Sequence, residues 1–365
     1  MSTRCLRRQR TARRPLGVAL ASLMAGIVAV GAWPGGPGIS APSSAQAPAC
    51  APEDALDEAA AALLLRPSAP DGDSLSVALA EASSDLPGAR VLRAPVSDAR
   101  ARARFLAEAR QRADAPLVCG EAESETVRVL VVAARAGRLT RDVASGASAD
   151  EVRVALAPSF RDAYLAGRDA DDQLHRWPVD DDVLARGFTV PAGLPRPVLL
   201  QLVASGPSGP RPLSRLLVGT AASTSASGAT LSVDGDDDLP SRVGALRAHH
   251  GVRDLRLNRL LVVEASAHAA RVCHSGRVRH QGVEGDAEDP RERLLRRGVQ
   301  ARVVGETVAR GRDLQAALRV LSESPSHHMT LVDPRFTDVG YGTVNTAGGT
   351  CVVALFAAWP RYVPH

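Results

Sequence analysis

Imidazole and carboxylate side chains are where this sequence can do chemistry, and the densest such stretch is "SPSHHMTLVDPRFTDVGYG", from Ser324 to Gly342. Ser324 can cap a helix whose first turn takes Pro325. That places His327 at a helix N-terminus, where the macrodipole disfavours the imidazolium form. A histidine kept neutral is competent to ligate a metal or to move a proton. The competing reading is a half-exposed residue at an ordinary helix start, and it fits His328 better than a ligand role does. His249, His250, His268 and His274 read as helix-surface or packed histidines by the same reasoning. No Ser or Cys stands in a recognisable nucleophile setting. Cys273 falls on a helix face and Cys351 in an apolar strand, both structural positions. The acidic run "DGDDD" lacks the alternating ligands and closing Glu of a calcium loop, and reads as a solvated turn.

Positioning such groups needs a folded scaffold, and a chain of 365 residues with 45% hydrophobic content has room for two domains with real cores. All 44 basic residues are Arg, a compositional habit that lowers the information in any single Arg. Six of them (Arg4, Arg7, Arg8, Arg10, Arg13, Arg14) precede an uncharged apolar run from Pro15 to Trp33, the layout of an export signal. Residues 1–49 are therefore expected to be a signal peptide or an N-terminal membrane anchor. Ala45-Gln46-Ala47 offers a small-x-small cleavage site, an uncleaved span is the alternative, and a lipid-modified Cys50 is a third.

Without those residues the net charge of +4 falls to −2, so the basic character belongs to the leader and a nucleic-acid partner loses its electrostatic support. The remainder divides unevenly, +6 from Pro240 onward against −8 for residues 50–239, so the two halves are able to attract one another, or the basic half to meet anionic surfaces. An exported chain meets oxidising conditions, and Cys50, Cys119, Cys273 and Cys351 allow two bridges. The economical pairing keeps each bridge within its own half, Cys50–Cys119 and Cys273–Cys351; buried free thiols are the alternative.

Residues 50–218 read as an N-terminal module, helical over 50–115 and strand-rich over 120–218. "EDALDEAAAALLL" begins with acids suited to a helix N-terminus, and "SDARARARFLAEARQRADA" offers Ser97 as a cap. "TVRVLVVAA", "EVRVALAP", "LHRWPV", "GFTVP" and "PVLLQLVASG" are short β-type runs between turn residues, predicting a β-sandwich-like unit over about 120–220 in which Tyr164 and Trp177 are core or edge aromatics. Residues 219–240, small and polar, read as a linker. Beyond them, "SRVGALRAHHGV", "NRLLVVEASAHAARVCHSG", "PRERLLRRG" and "RDLQAALRVLSES" predict four helices, with Leu261, Ala265, His268/Ala269 and Val272 on one face of the second. "DVGYGTV" and "TCVVALFAAWP" close the chain as strands.

Four segments carry a family resemblance in order and spacing: "LRAHHGVRDLRLNRLLVVEASAHAARV", "VRHQG", "RLLRRGVQARVVGETVARG" and "SESPSHHMTLVDPRFTDVGYG". Together they make the block 241–360 resemble the CAP superfamily (cysteine-rich secretory proteins, antigen 5, pathogenesis-related 1), particularly its short bacterial secreted form. The departures are Thr307 for the usual Asn after the glutamate, Leu321 for the usual Trp before Ser-Pro, and His328 for the usual Arg after the histidine.

The resemblance implies an α+β chain whose residues 241–365 form an α-β-α sandwich. In it His280, Glu306 and His327 converge in a cleft with a second acid nearby, Glu284 or Asp286. Such a set suits a divalent cation, zinc or magnesium. The implied function is an exported binding or interaction module at the cell envelope or outside the cell, taking a protein, lipid or envelope component. Contact with a membrane is expected only through an uncleaved N-terminal segment. The rival is a metal-dependent secreted hydrolase acting on peptide or envelope polymer.

Overall fold

The computed structural model describes residues 50–359 apart from 68, 71, 83–85, 87, 142–149, 208, 220–237 and 282–288. The expected leader, most of the expected linker, Glu284 and Asp286 therefore lie outside the described residues. Among those described, no helix is long and apolar enough to cross a membrane.

The first layer begins with strand β1 (Ala51–Pro52), helices α1 (Asp54–Leu64) and α2 (Gly72–Glu81), strand β2 (Arg90–Pro95) and helix α3 (Ala99–Arg112). Strands β3 (Leu117–Glu123) and β4 (Val127–Ala134) complete a sheet of order β1-β3-β4-β2. The unbroken apolar run of β4 follows from burial on both faces. Val129 and Val131 pack on Leu56, Ala60 and Leu63 of α1, while Leu130 and Val132 pack on Leu106 and Ala109 of α3. The strand-rich unit expected from residue 120 is thus corrected at its start, since β3 and β4 belong to the helical layer. Asp98 rather than Ser97 caps α3, its carboxylate accepting from Ala101 N at 2.8 Å.

The sandwich begins with β5 (Gly137–Arg141) and β6 (Glu151–Leu156), followed by β7 (Arg161–Arg168), β8 (Leu174–Pro178), α4 (Asp181–Arg186), β9 (Phe188–Thr189), β10 (Val198–Gly206) and β11 (Gly209–Val218). These form a three-stranded sheet, β5-β6-β9, and a four-stranded one, β11-β10-β7-β8. Leu139, Val152 and Val154 of the first meet Leu165, Leu200, Leu202 and Leu213 of the second in one core.

Next come α5 (Leu239–His249), β12 (Arg256–Leu257), α6 (Arg259–Ser275), α7 (Pro290–Arg296), β13 (Val303–Gly311), α8 (Leu314–Glu323), α9 (Pro325–Leu331), β14 (Asp338–Thr346) and β15 (Gly349–Ala358). Their sheet, β12-β14-β15-β13, lies between two helical layers. On one face Leu261, Ala265, Ala269 and Val272 of α6, with Leu294 of α7, cover Val308, Val353 and Leu355. On the other, Val243 and Leu246 of α5, Leu318 and Leu321 of α8 and Leu331 of α9 cover Ala309, Val352, Ala354 and Phe356. This is the α-β-α sandwich anticipated from the sequence. Caps follow the sequence signals: Asn258 starts α6, and Asp289 with Glu292 makes a reciprocal capping box on α7. Both expected bridges are present, Cys50–Cys119 in the first layer and Cys273–Cys351 between α6 and β15.

Candidate functional site: a cleft shared by two modules

Strand alternation turns Glu306 and Val308 of β13 toward α6 and α7. There the Glu306 carboxylate meets Arg293 of α7 through Oε2 and His280 through Oε1, the latter with Nδ1 at 3.0 Å. Arg293 continues the chain, its Nε donating to Oε1 of Glu264 on α6 at 3.0 Å and its other amine to the backbone carbonyl of His280 at 2.5 Å. One guanidinium thus fixes two carboxylates and the loop that carries His280. The side chains of Glu264, Arg293 and Glu306 are 3, 2 and 1% exposed, so the pairing is what makes their burial tolerable. Burial alone would raise the pKa of Glu264, but hydrogen bonds from Arg297 and Arg271 outweigh it and hold the group below the ordinary carboxylate value.

His268, one turn after Glu264 on α6, is packed beneath this chain. Its Nε2 lies 2.9 Å from the Arg279 carbonyl and 3.7 Å from Glu306 Oε1. Burial lowers its pKa, with Arg293 adding to the effect against the pull of Glu306.

His327 comes from the first turn of α9. Desolvation, reinforced by nearby His280, lowers its pKa to about 4, so it is neutral over the physiological range. The expected cap differs in detail: the Ser324 hydroxyl makes no cap bond to α9 and instead donates to Gln201 Oε1 at 3.0 Å. The same Gln201 oxygen accepts from Ser326 N at 3.1 Å. A side chain from β10 of the sandwich therefore caps a helix of the C-terminal domain.

His280, Glu306 and His327 line one cleft of about 530 Å³. Its opposite wall is built by the N-terminal sandwich, through Tyr164, Arg176 and Arg211. Tyr164, expected as a core or edge aromatic, presents its ring to the cleft beneath the Arg176 guanidinium, 3.9 Å away. Trp177 stays in the sandwich core beside Phe188.

The structure brings the three expected residues to one hollow but not into one ligand sphere. Among the described residues, the one group of three or more His, Cys, Asp or Glu whose ligand atoms all lie within 4.8 Å is Asp172, His249 and His250, elsewhere in the fold. Both oxygens of Glu306 are engaged, one by a cation. The arrangement is that of a buried ion-pair chain reaching the cleft floor, and as placed it does not fit a bound divalent ion. Sequence reading missed Arg293 because in an all-Arg chain a single Arg carries no signal.

Residues 241–356 match the Cysteine-rich secretory protein family, CAP. With the α-β-α sandwich and the His280/Glu306/His327 cleft in place, the C-terminal part of this chain is a CAP domain. Solved structures that resemble the chain include the following three. An outer surface protein from Borrelia burgdorferi is 20% identical with a TM-score of 0.31, over 33% of this chain and 90% of that one. An extracellular protein containing an SCP domain from Bacillus anthracis str. Ames is 12% identical with a TM-score of 0.29, over 60% and 88%. A cysteine-rich secretory protein from Staphylococcus aureus is 14% identical with a TM-score of 0.27, over 51% and 63%. No curated protein matches the chain.

Proposed function

We propose that the protein is an exported binding protein whose CAP domain and N-terminal sandwich together hold a polar ligand from the cell envelope or its surroundings. One observation carries this reading: the CAP cleft is a two-module cleft, with Tyr164, Arg176 and Arg211 facing His280, Glu306 and His327. A ligand lodged there touches both modules, and its recognition depends on their relative placement. Glu306 supports binding over hydrolysis, because Arg293 and His280 occupy both of its oxygens. A carboxylate so held is a poor general base. Two disulfides in a chain with a leader of export layout support life outside the cytosol.

The test is turnover against retention. The full chain is incubated with a diverse fluorogenic peptide library and with labelled envelope polymer, with and without added zinc. The expected result is retention without turnover, weakened by Tyr164→Ala and by His327→Ala. Turnover abolished by His280→Ala or Glu306→Ala would replace this reading with the metal-dependent hydrolase.

A further inference from the structure

We infer that Asp172, His249 and His250 form a binding site for a zinc-like divalent ion, pinning the N-terminal sandwich to the CAP domain outside the ligand cleft, with His328 packed beside His250. Asp172 lies in the turn between β7 and β8, while His249 ends α5, His250 is its C-cap residue and His328 sits in the middle of α9. Chain segments far apart in sequence thus deliver one carboxylate and two imidazoles to one point, within 4.8 Å of one another.

The distances are those of a ligand set. His249 Nε2 and His250 Nε2 lie 3.4 and 3.5 Å from the same oxygen of Asp172, Oδ2. His250 Nε2 and His328 Nε2 are 2.9 Å apart. Ligands bound tetrahedrally to zinc at about 2.0–2.1 Å are separated from one another by about 3.3 Å. The two Asp172 contacts are close to the edges of such a tetrahedron, so a small shift of each side chain admits the ion with a fourth position left open to water. Two imidazoles and one carboxylate match the donor preference of zinc-like ions.

The surroundings are arranged as for a ligand set. The second oxygen of Asp172, Oδ1, faces the Arg168 guanidinium at 3.6 Å, which leaves Oδ2 turned to the histidines. Arg168 also donates to the Ser322 carbonyl of α8 at 3.1 Å, so the carboxylate is oriented by a group that itself spans the two modules. Asp172 adopts a left-handed conformation, φ 62°, that Asp tolerates better than most residues.

This site is separate from the cleft assignment, though β7, which leads to Asp172, also carries Tyr164. The experiment is cobalt titration of the metal-stripped full chain, followed by its visible absorption. One equivalent is expected to produce the intense bands of a tetrahedral ion. Asp172→Asn and His249→Gln are each expected to weaken uptake about tenfold or more, since even outer-shell changes cost that much. His280→Ala leaves the bands unchanged. His249 is 53% exposed, so its variant reports on binding even if Asp172→Asn folds poorly. No bands in the parent chain, or parent-level affinity in both variants, overturns the site and leaves only the contacts of Asp172 with the two imidazoles between the modules. Bands lost only in His280→Ala would place the ion in the cleft and likewise overturn it.

Discussion

Glu306 is the residue on which the cleft floor depends, because its carboxylate joins the charge chain from Glu264 and Arg293 to His280. Glu306→Gln keeps the shape and removes the charge, leaving Arg293 to Glu264 alone. Breaking one link of a buried ion-pair set costs about 3 kcal/mol. Urea unfolding should show this as a lower midpoint at unchanged slope. The buried imidazoles predict acid sensitivity with a definite sign. His327 takes up a proton near pH 6.5 when unfolded but only near pH 4 in the fold. Between those values the unfolded chain holds more protons, so stability falls as pH falls through the window. Between about pH 7 and about pH 5, His327 alone removes about 2 kcal/mol. His328, lowered to about 4 chiefly by burial, acts in the same direction. Unfolding midpoints measured across that range should converge for the parent chain and His327→Gln as pH drops.

Elements were legible where one period rules a segment. The face of α6 carrying Leu261, Ala265, Ala269 and Val272 is buried as its spacing demands, and β15 reads as an apolar run because it lies between two helical layers. The close approach of α6 to β14 was not legible from periodicity, since it rests on two glycines. A methyl group built at Gly340 or Gly342 would lie 2.0 or 2.4 Å from backbone carbons of Leu261 or Ala265. Gly340→Ala must push the helix from the sheet, and overpacking of this kind costs about 3 kcal/mol. Thermal unfolding of the variant should show a clear drop in midpoint. The same pair of layers is tied by Cys273–Cys351, which closes a loop across 78 residues of sequence. Replacing both cysteines by Ala should cost about 4 kcal/mol by the loop-closure argument. That loss should appear in oxidised parent against double variant and vanish when both are reduced.

At the scale of the molecule the sequence offered a charge split and a linker, whereas the structure supplies specific contacts between modules. His280, Glu306 and His327 were legible because their surrounding motifs resemble a family; Tyr164 and Gln201 were not, because partnership across modules leaves no period or spacing in a single chain. Gln201 is the sharpest case. It lies on β10, is 5% exposed, and its one carbonyl oxygen accepts from both Ser324 Oγ and Ser326 N at the start of α9. Removing that oxygen orphans a buried backbone N–H and leaves the Ser324 hydroxyl only Ser326 Oγ, at 3.2 Å, which costs about 2 kcal/mol. Because α9 also delivers His327 to the cleft, the loss should reach further than stability. Gln201→Leu, close in size but without the acceptor, is expected to lower the unfolding midpoint and also to weaken ligand retention. Gln201→Glu keeps the acceptor and should restore both. If Gln201→Leu changed stability while retention stayed at the parent level, the sandwich would be a support for the CAP domain and not a wall of its binding site.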